Sequence, residues 1–210
     1  MITDITEVYA KGISYTALYG NIEGWLSEPE GFLLYVYGRN CDPNYEIVEI
    51  GSFKGKSTCW LGAAVRDTNR ARKVIAIDWH KGSKEFTAGT RYSSGGMFSG
   101  DTFGDFKKTM ERYEMEDYVE AWVMKSQEAI TKWMPEAKPI GLLFIDGEHT
   151  YESARRDFEQ WSPFVIEGGT IMMHDINWEG PKAVWEEFVI NSGKYKYFQM
   201  DTMGIATKIR

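Results

Sequence analysis

Apolar positions along the chain change rhythm repeatedly. Short runs such as "YEIVEI", "KVIAID", "YVEAWVM", "IGLLFID" and "GTIMMHD" read as strands, the fourth so uniformly apolar that it belongs in the middle of a parallel sheet. Between them the apolar residues recur at helical spacing. Trp60, Leu61, Ala64 and Val65 share one face, as do Phe103, Phe106, Met110 and Tyr113, and then Tyr151, Ala154, Phe158 and Trp161. "SQEAITKWM" predicts a short helix, and "GPKAVWEEFVI" a helix with proline near its start. The last segment, "YKYFQMDTMGIATKIR", is two strands whose short turn forces an antiparallel pair. The alternation predicts an α/β chain: a doubly wound, mostly parallel sheet with helices on both faces. Upstream, Ser27 and Glu30 have capping-box spacing, with Pro29 tolerated in the first turn, so a helix should run to about Tyr37. Residues 1–40 are expected to form a helical cap on one domain spanning 1–210.

Composition narrows the partners. The 210 residues are 43% hydrophobic and 26% charged, ordinary for a folded domain of this size. A net charge of −7 gives no basic stripe for a nucleic-acid backbone. No apolar run approaches a membrane span, and the acidic N-terminus lacks an apolar signal core, so a cytoplasmic protein is expected. Cys41 and Cys59 have no metal-type spacing and read as reduced thiols. Self-association into a homo-oligomer is compatible with the sequence and is not read from it. Residues 81–101, rich in Gly, Ser and Thr, follow the second strand; a loop that long at a strand's C-terminal end is expected to be a lid.

"EIVEIGSFKGKST", Glu46 to Thr58, admits two readings. A phosphate loop needs four residues between its glycine and Gly-Lys-Ser, and here Gly51 and Gly55 are separated by three. The alternative is a nucleoside-cofactor turn, with glycine where the backbone approaches the ligand and an acid ending the next strand. Gly51 supplies the turn and Asp78 the acid, which would accept both ribose hydroxyls. The helix after Gly55, with Ser57 in its first turn, offers free N–H groups to a carboxylate. Glu49 can hold the turn or an amino group.

"EIGSFKGKS", "IAIDWH", "SQEA", "LLFIDGEHTYESARRDFEQW" and "GGTIMMHD", in this order, resemble the class I S-adenosylmethionine-dependent methyltransferases. The branch they are most similar to is the small-molecule O-methyltransferases of catechol, sugar and antibiotic-tailoring type. The resemblance spans roughly residues 22–209. It implies a Rossmann-like, seven-stranded, mostly parallel sheet ending in an antiparallel hairpin, with S-adenosylmethionine as cofactor and a small-molecule hydroxyl as acceptor. It implies that Gly51 and Ser52 meet the methionine moiety, Asp78 grips the ribose, Trp79 packs on the adenine and Ser126 and Gln127 touch its edge. Glu49, Ser57 and Asp146 are counted with the cofactor-binding residues. Phe53 stands where many members carry a glycine. Two other functions remain open: a nucleotide hydrolase or kinase, and a non-catalytic binding module of the same fold.

His80, His149 and His174 all fall at predicted strand ends, with Asp146, Glu148, Asp175 and Asn177 nearby. Hard oxygen ligands of this kind suit Mg²⁺. In metal-dependent members of the family an acid after the fourth strand and an Asp-Asn pair after the fifth bind the ion. Asp146 and Asp175 match; Asn177 is displaced by one residue, because Ile176 intervenes. The position that holds a basic lysine in the catechol type is His149 here, expected to be the general base.

Overall fold

The computed structural model describes residues 5–82 and 101–209. Most of the expected lid, 83–100, lies outside them. Five parallel strands form first: β1 (Glu46–Ile50), β2 (Val74–Asp78), β3 (Val119–Val123), β4 (Ile140–Ile145) and β5 (Val165–Met173). β6 (Tyr195–Met200) and β7 (Met203–Lys208) close the chain as a hairpin, and β7 inserts antiparallel between β5 and β6. The sheet order is β3-β2-β1-β4-β5-β7-β6, the seven-stranded topology expected. The order reverses between β1 and β4, so a crevice opens there at the C-terminal strand ends, where ligands bind in such sheets.

β1 shows how the strands divide the core. Ile47 packs on one side of the sheet with Leu34, Trp60, Leu61 and Phe106. Val48 and Ile50 pack on the other with Trp122, Phe158, Trp161 and Trp185. Side chains alternate between faces, so Glu49 falls on the side of Ile47, towards α3 (Lys56–Asp67). α4 (Phe103–Arg112), α5 (Ser126–Trp133), α6 (Tyr151–Trp161) and α7 (Glu179–Val184) cover the sheet, and α7 widens into a π-helical turn over Trp185–Ile190.

The cap is two helices, α1 (Ile5–Tyr19) and α2 (Glu28–Asn40). The capping box at Ser27 is present in both directions, and α2 runs three residues past the expected end at Tyr37. α1 is held by Asp67 at the end of α3. Its carboxylate accepts from the hydroxyls of Tyr15 at 2.8 Å and Tyr35 at 2.7 Å, and Lys11 lies 3.1 Å away. Burial works against this carboxylate, but Tyr35, Tyr15 and Lys11 outweigh it and hold Asp67 below its usual pKa.

Candidate functional site

The turn after β1 is shaped by glycine. Gly51 has φ of +89°, and a Cβ there would lie 2.0 Å from the carbonyl oxygen of Asp146. Only glycine lets the ends of β1 and β4 approach this closely. Gly55 caps α3 from the left-handed region. Phe53 takes the same region at φ +44°, an unusual conformation for a bulky residue. Ser52 is buried, and among the described residues its hydroxyl has no hydrogen-bond partner. A buried hydroxyl in that state calls for a ligand or water.

Two acids brace the turn. Glu49 is fully buried, and its oxygens accept from Ser57 Oγ at 2.5 Å and Thr58 Oγ1 at 2.6 Å. Burial, with Asp146 and Asp78 nearby, raises its pKa to about 8, although the two hydroxyls pull the other way. Glu49 and the Ser57 hydroxyl are thus engaged with each other. Asp78 accepts backbone N–H groups from Ser52 (3.1 Å), Phe53 (2.8 Å) and His80 (2.7 Å). A carboxylate has about four acceptor positions, so one remains where two ribose hydroxyls were expected. The same bonds count against a phosphate loop: the N–H groups that would cradle a phosphate already bind an anion.

Trp79 is part-exposed, with its indole N–H donating to Gly82 O and Lys125 Nζ 4.3 Å from the ring centroid. One ring face therefore already carries a cation. Ser126 donates to the buried carboxylate of Asp157 at 2.5 Å, which leaves its backbone for the role foreseen. Gln127 is half-buried beside it.

At the ends of β4 and β5 the structure draws together Asp146, His149 and Asp175. One ligand atom from each lies within 4.8 Å of the others. His149 Nε2 is 3.2 Å from Asp175 Oδ2 and 3.9 Å from Asp146 Oδ1. The His149 ring packs against Trp178, with centroids 4.8 Å apart and planes tilted by 38°. Asp175 sits at φ +53° just past the strand, while Asn177 is exposed beyond the buried Ile176. Behind the two acids is His174, with Nδ1 at 3.3 Å from both Asp146 Oδ1 and Asp175 Oδ2 and Nε2 at 3.2 Å from Glu30 Oε2. Burial disfavours a charged ring, but Asp146, Asp175 and Glu30 outweigh it and push its pKa up to about 12. Glu30 and Asp175 are likewise held low against burial, Glu30 at about 2, by the facing histidines. Three carboxylates thus face one imidazole, whose Nδ1 lies between Asp146 and Asp175 without a well-aligned hydrogen bond to either. His80 belongs elsewhere: its Nδ1 lies 3.0 Å from Thr102 Oγ1 and its ring packs on Phe103 and Phe106.

A glycine turn braced by an acid, set at the switch point of this sheet, agrees with comparison to known proteins. A family model described as a methyltransferase domain matches residues 48–176, well over half the chain. The chain belongs to the methyltransferase-domain family. Solved structures agree on the fold. The O-methyltransferase NovP superposes with a TM-score of 0.70 at 14% identity, covering 89% of this chain and 84% of its own. TomG, the O-methyltransferase of Streptomyces achromogenes involved in tomaymycin synthesis, solved with S-adenosylmethionine, gives 0.64 at 15% identity, covering 100% and 93%. The Bacillus cereus O-methyltransferase, solved with S-adenosylhomocysteine, gives 0.63 at 15%, covering 99% and 93%.

Two residues of this methyltransferase escaped the sequence reading in their present roles. Asp157 lies on the buried face of α6 with Ala154, Phe158 and Trp161. An acid on an apolar stripe is a readable signal, since a buried carboxylate needs a partner. Glu30 was visible only as a helix cap; its contact with His174, 144 residues away, has no local signature. Among the described residues of the methyltransferase, no helix is long and apolar enough to cross a membrane.

Proposed function

We propose that the protein is an S-adenosylmethionine-dependent O-methyltransferase acting on a hydroxyl of a small molecule, with a divalent cation held by Asp146, Asp175 and His149. The observation that supports this best is the convergence of those three residues against the Gly51 turn. When bound, S-adenosylmethionine supplies an electrophilic methyl group on a sulfonium. Gly51 and Ser52 would receive its methionine moiety, where the Ser52 hydroxyl lacks a partner among the described residues. Asp78 would accept from the ribose, with Trp79, Ser126 and Gln127 around the adenine. Glu49 and Ser57 act from behind by fixing the turn. That NovP, TomG and the Bacillus cereus protein are named O-methyltransferases supports oxygen as the acceptor atom. The two free thiols fit a reducing, cytoplasmic setting.

The acceptor hydroxyl must lose its proton, and positioning is the larger contribution to such a displacement. A divalent cation at Asp146 and Asp175 would lower the hydroxyl's pKa. Two carboxylates with one imidazole suit Mn²⁺ as well as Mg²⁺. The pairing of His149 with Asp175 favours a second role for this histidine: an imidazole oriented by a carboxylate is the usual arrangement of a general base. Calorimetry separates the two. S-adenosylhomocysteine and Mn²⁺ should each bind, and chelator should abolish turnover while S-adenosylhomocysteine binding persists. His149→Ala should lose at least tenfold in Mn²⁺ affinity if the ring is a ligand. As a base it should keep that affinity and lose ~10²-fold or more in turnover. A chelator-resistant enzyme would remove the cation from this reading, and failure to bind S-adenosylhomocysteine would remove the cofactor.

A further inference from the structure

Glu30 is an acid in the first turn of a helix, a position that normally faces water, yet it exposes 1% of its surface. A capping box requires only one carboxylate oxygen to reach back to the Ser27 N–H, here at 3.0 Å. Helix capping therefore does not account for burying the group, which costs several kcal/mol unless it is fully paired. The pairing comes from across the molecule. Oε1 accepts from Thr202 N at 2.9 Å and Thr202 Oγ1 at 2.7 Å, in the turn between β6 and β7. Oε2 meets Nε2 of His174 at 3.2 Å. His174, 3% exposed, turns its other nitrogen to Asp146 and Asp175, 3.3 Å from each.

We infer that Glu30 is a positioning residue for the acidic centre: it fixes the ring of His174, and His174 in turn fixes the carboxylates of Asp146 and Asp175. His174 is the group that directly contacts both carboxylates, a kind of partner whose loss typically costs 10–100-fold in metal affinity, and Glu30 is the carboxylate that holds it. The cap helix α2 is then part of the centre, tied to it by the Glu30 side chain.

This inference rests on the reading of Asp146 and Asp175 as cation ligands, and the test separates the two. Glu30→Gln keeps the side chain's volume and an oxygen for the capping box, removes the charge facing His174 and turns a donor NH₂ towards Thr202. Mn²⁺ calorimetry should show at least a tenfold loss of affinity, with S-adenosylhomocysteine affinity within twofold of wild type. In a His174→Asn background Glu30→Gln should cause little further loss, because the effect passes through that ring. Ser27→Ala, which removes the hydroxyl's bonds to Glu30 N and to Asp201 but keeps the Glu30–His174 contact, should lower the melting temperature and leave Mn²⁺ affinity intact. If Glu30→Gln does not fold, His174→Asn by itself should show the tenfold loss, and wild-type affinity there overturns the inference. Normal Mn²⁺ binding by Glu30→Gln, when Asp175→Asn loses it, overturns the inference alone. Absence of Mn²⁺ and Mg²⁺ binding by the wild type overturns the cation reading and this inference with it.

Discussion

Glu49 and Asp78 are both acids at strand ends, and their surroundings give them opposite tests. Glu49 titrates at about 8 in the folded protein against an ordinary value of 4.5. A group whose pKa is raised on folding binds more protons in the native state. Its stabilising contribution is complete below the unfolded value and is lost as pH rises through the folded one. Asp157, raised to about 6, acts the same way at lower pH, and His174, raised from 6.5 to about 12, acts the same way above its unfolded value, so between pH 6.5 and 8 Glu49 and His174 both contribute. Urea denaturation should show wild-type stability falling more steeply than that of Glu49→Gln between pH 6.5 and 8, the variant's remaining fall belonging to His174; parallel slopes would rule out the buried acid as a source. Asp78→Ala removes an acceptor from three backbone N–H groups, each charge-assisted bond worth roughly 1.5–3 kcal/mol. It should lower the melting temperature and weaken S-adenosylhomocysteine binding more than tenfold; unchanged affinity would sink the cofactor site as drawn. The residue types and strand-end positions of both acids were legible in the sequence. Their engagement with Ser57, Thr58 and the turn's own amides was not, because such partners are set by how α3 lies on the sheet.

Among the elements, the strands and central helices followed from periodicity, while α1 did not emerge as a distinct helix. Its buried residues are Gly12, Tyr15 and Tyr19, and its large aliphatics Ile5 and Ile13 are exposed. The apolar pattern therefore points the wrong way: the helix docks by the rings of Tyr15 and Tyr19, both against Trp60, and by the Tyr15 hydroxyl and Lys11 on the Asp67 carboxylate. α7 and the start of β5 were also only partly legible: the π-helical turn and the residues Val165–Gly168 depend on tertiary contacts that no repeat announces. The docking of α1 makes a sharp expectation. Asp67→Ala leaves the Tyr15 and Tyr35 hydroxyls without their shared acceptor and Lys11 without a partner in Asp67, and should cost about 3 kcal/mol. Hydrogen exchange over Ile5–Tyr19 should quicken more than over β1 or β4. Uniform acceleration across the molecule would mean that α1 is not held separately by this network.

At the scale of the molecule, the sheet order puts the Gly51 turn and the Asp146–Asp175 cluster on neighbouring strands, and they meet at one residue. Motif order along the sequence made the topology readable, and with it the strand ends that gather Asp146 and Asp175. The contribution of the cap did not follow, since Glu30 reaches His174 only after β5 and the β6–β7 turn have folded around it. Gly51 is the point of contact between the two halves. A methyl group there would lie 2.0 Å from the Asp146 carbonyl oxygen and 2.5 Å from its carbon, on a backbone already at φ +89°. Neither clash can be relieved by a side-chain rotation, so the ends of β1 and β4 must part. Gly51→Ala should therefore lose affinity for S-adenosylhomocysteine and for Mn²⁺ together, each by tenfold or more. Asp78→Ala should weaken chiefly the first and Asp175→Asn chiefly the second. Calorimetry with both ligands on the three variants tests whether the site is mechanically one unit: if Gly51→Ala weakens the cofactor and binds Mn²⁺ as tightly as wild type, Asp146 does not follow the turn and the halves are independent.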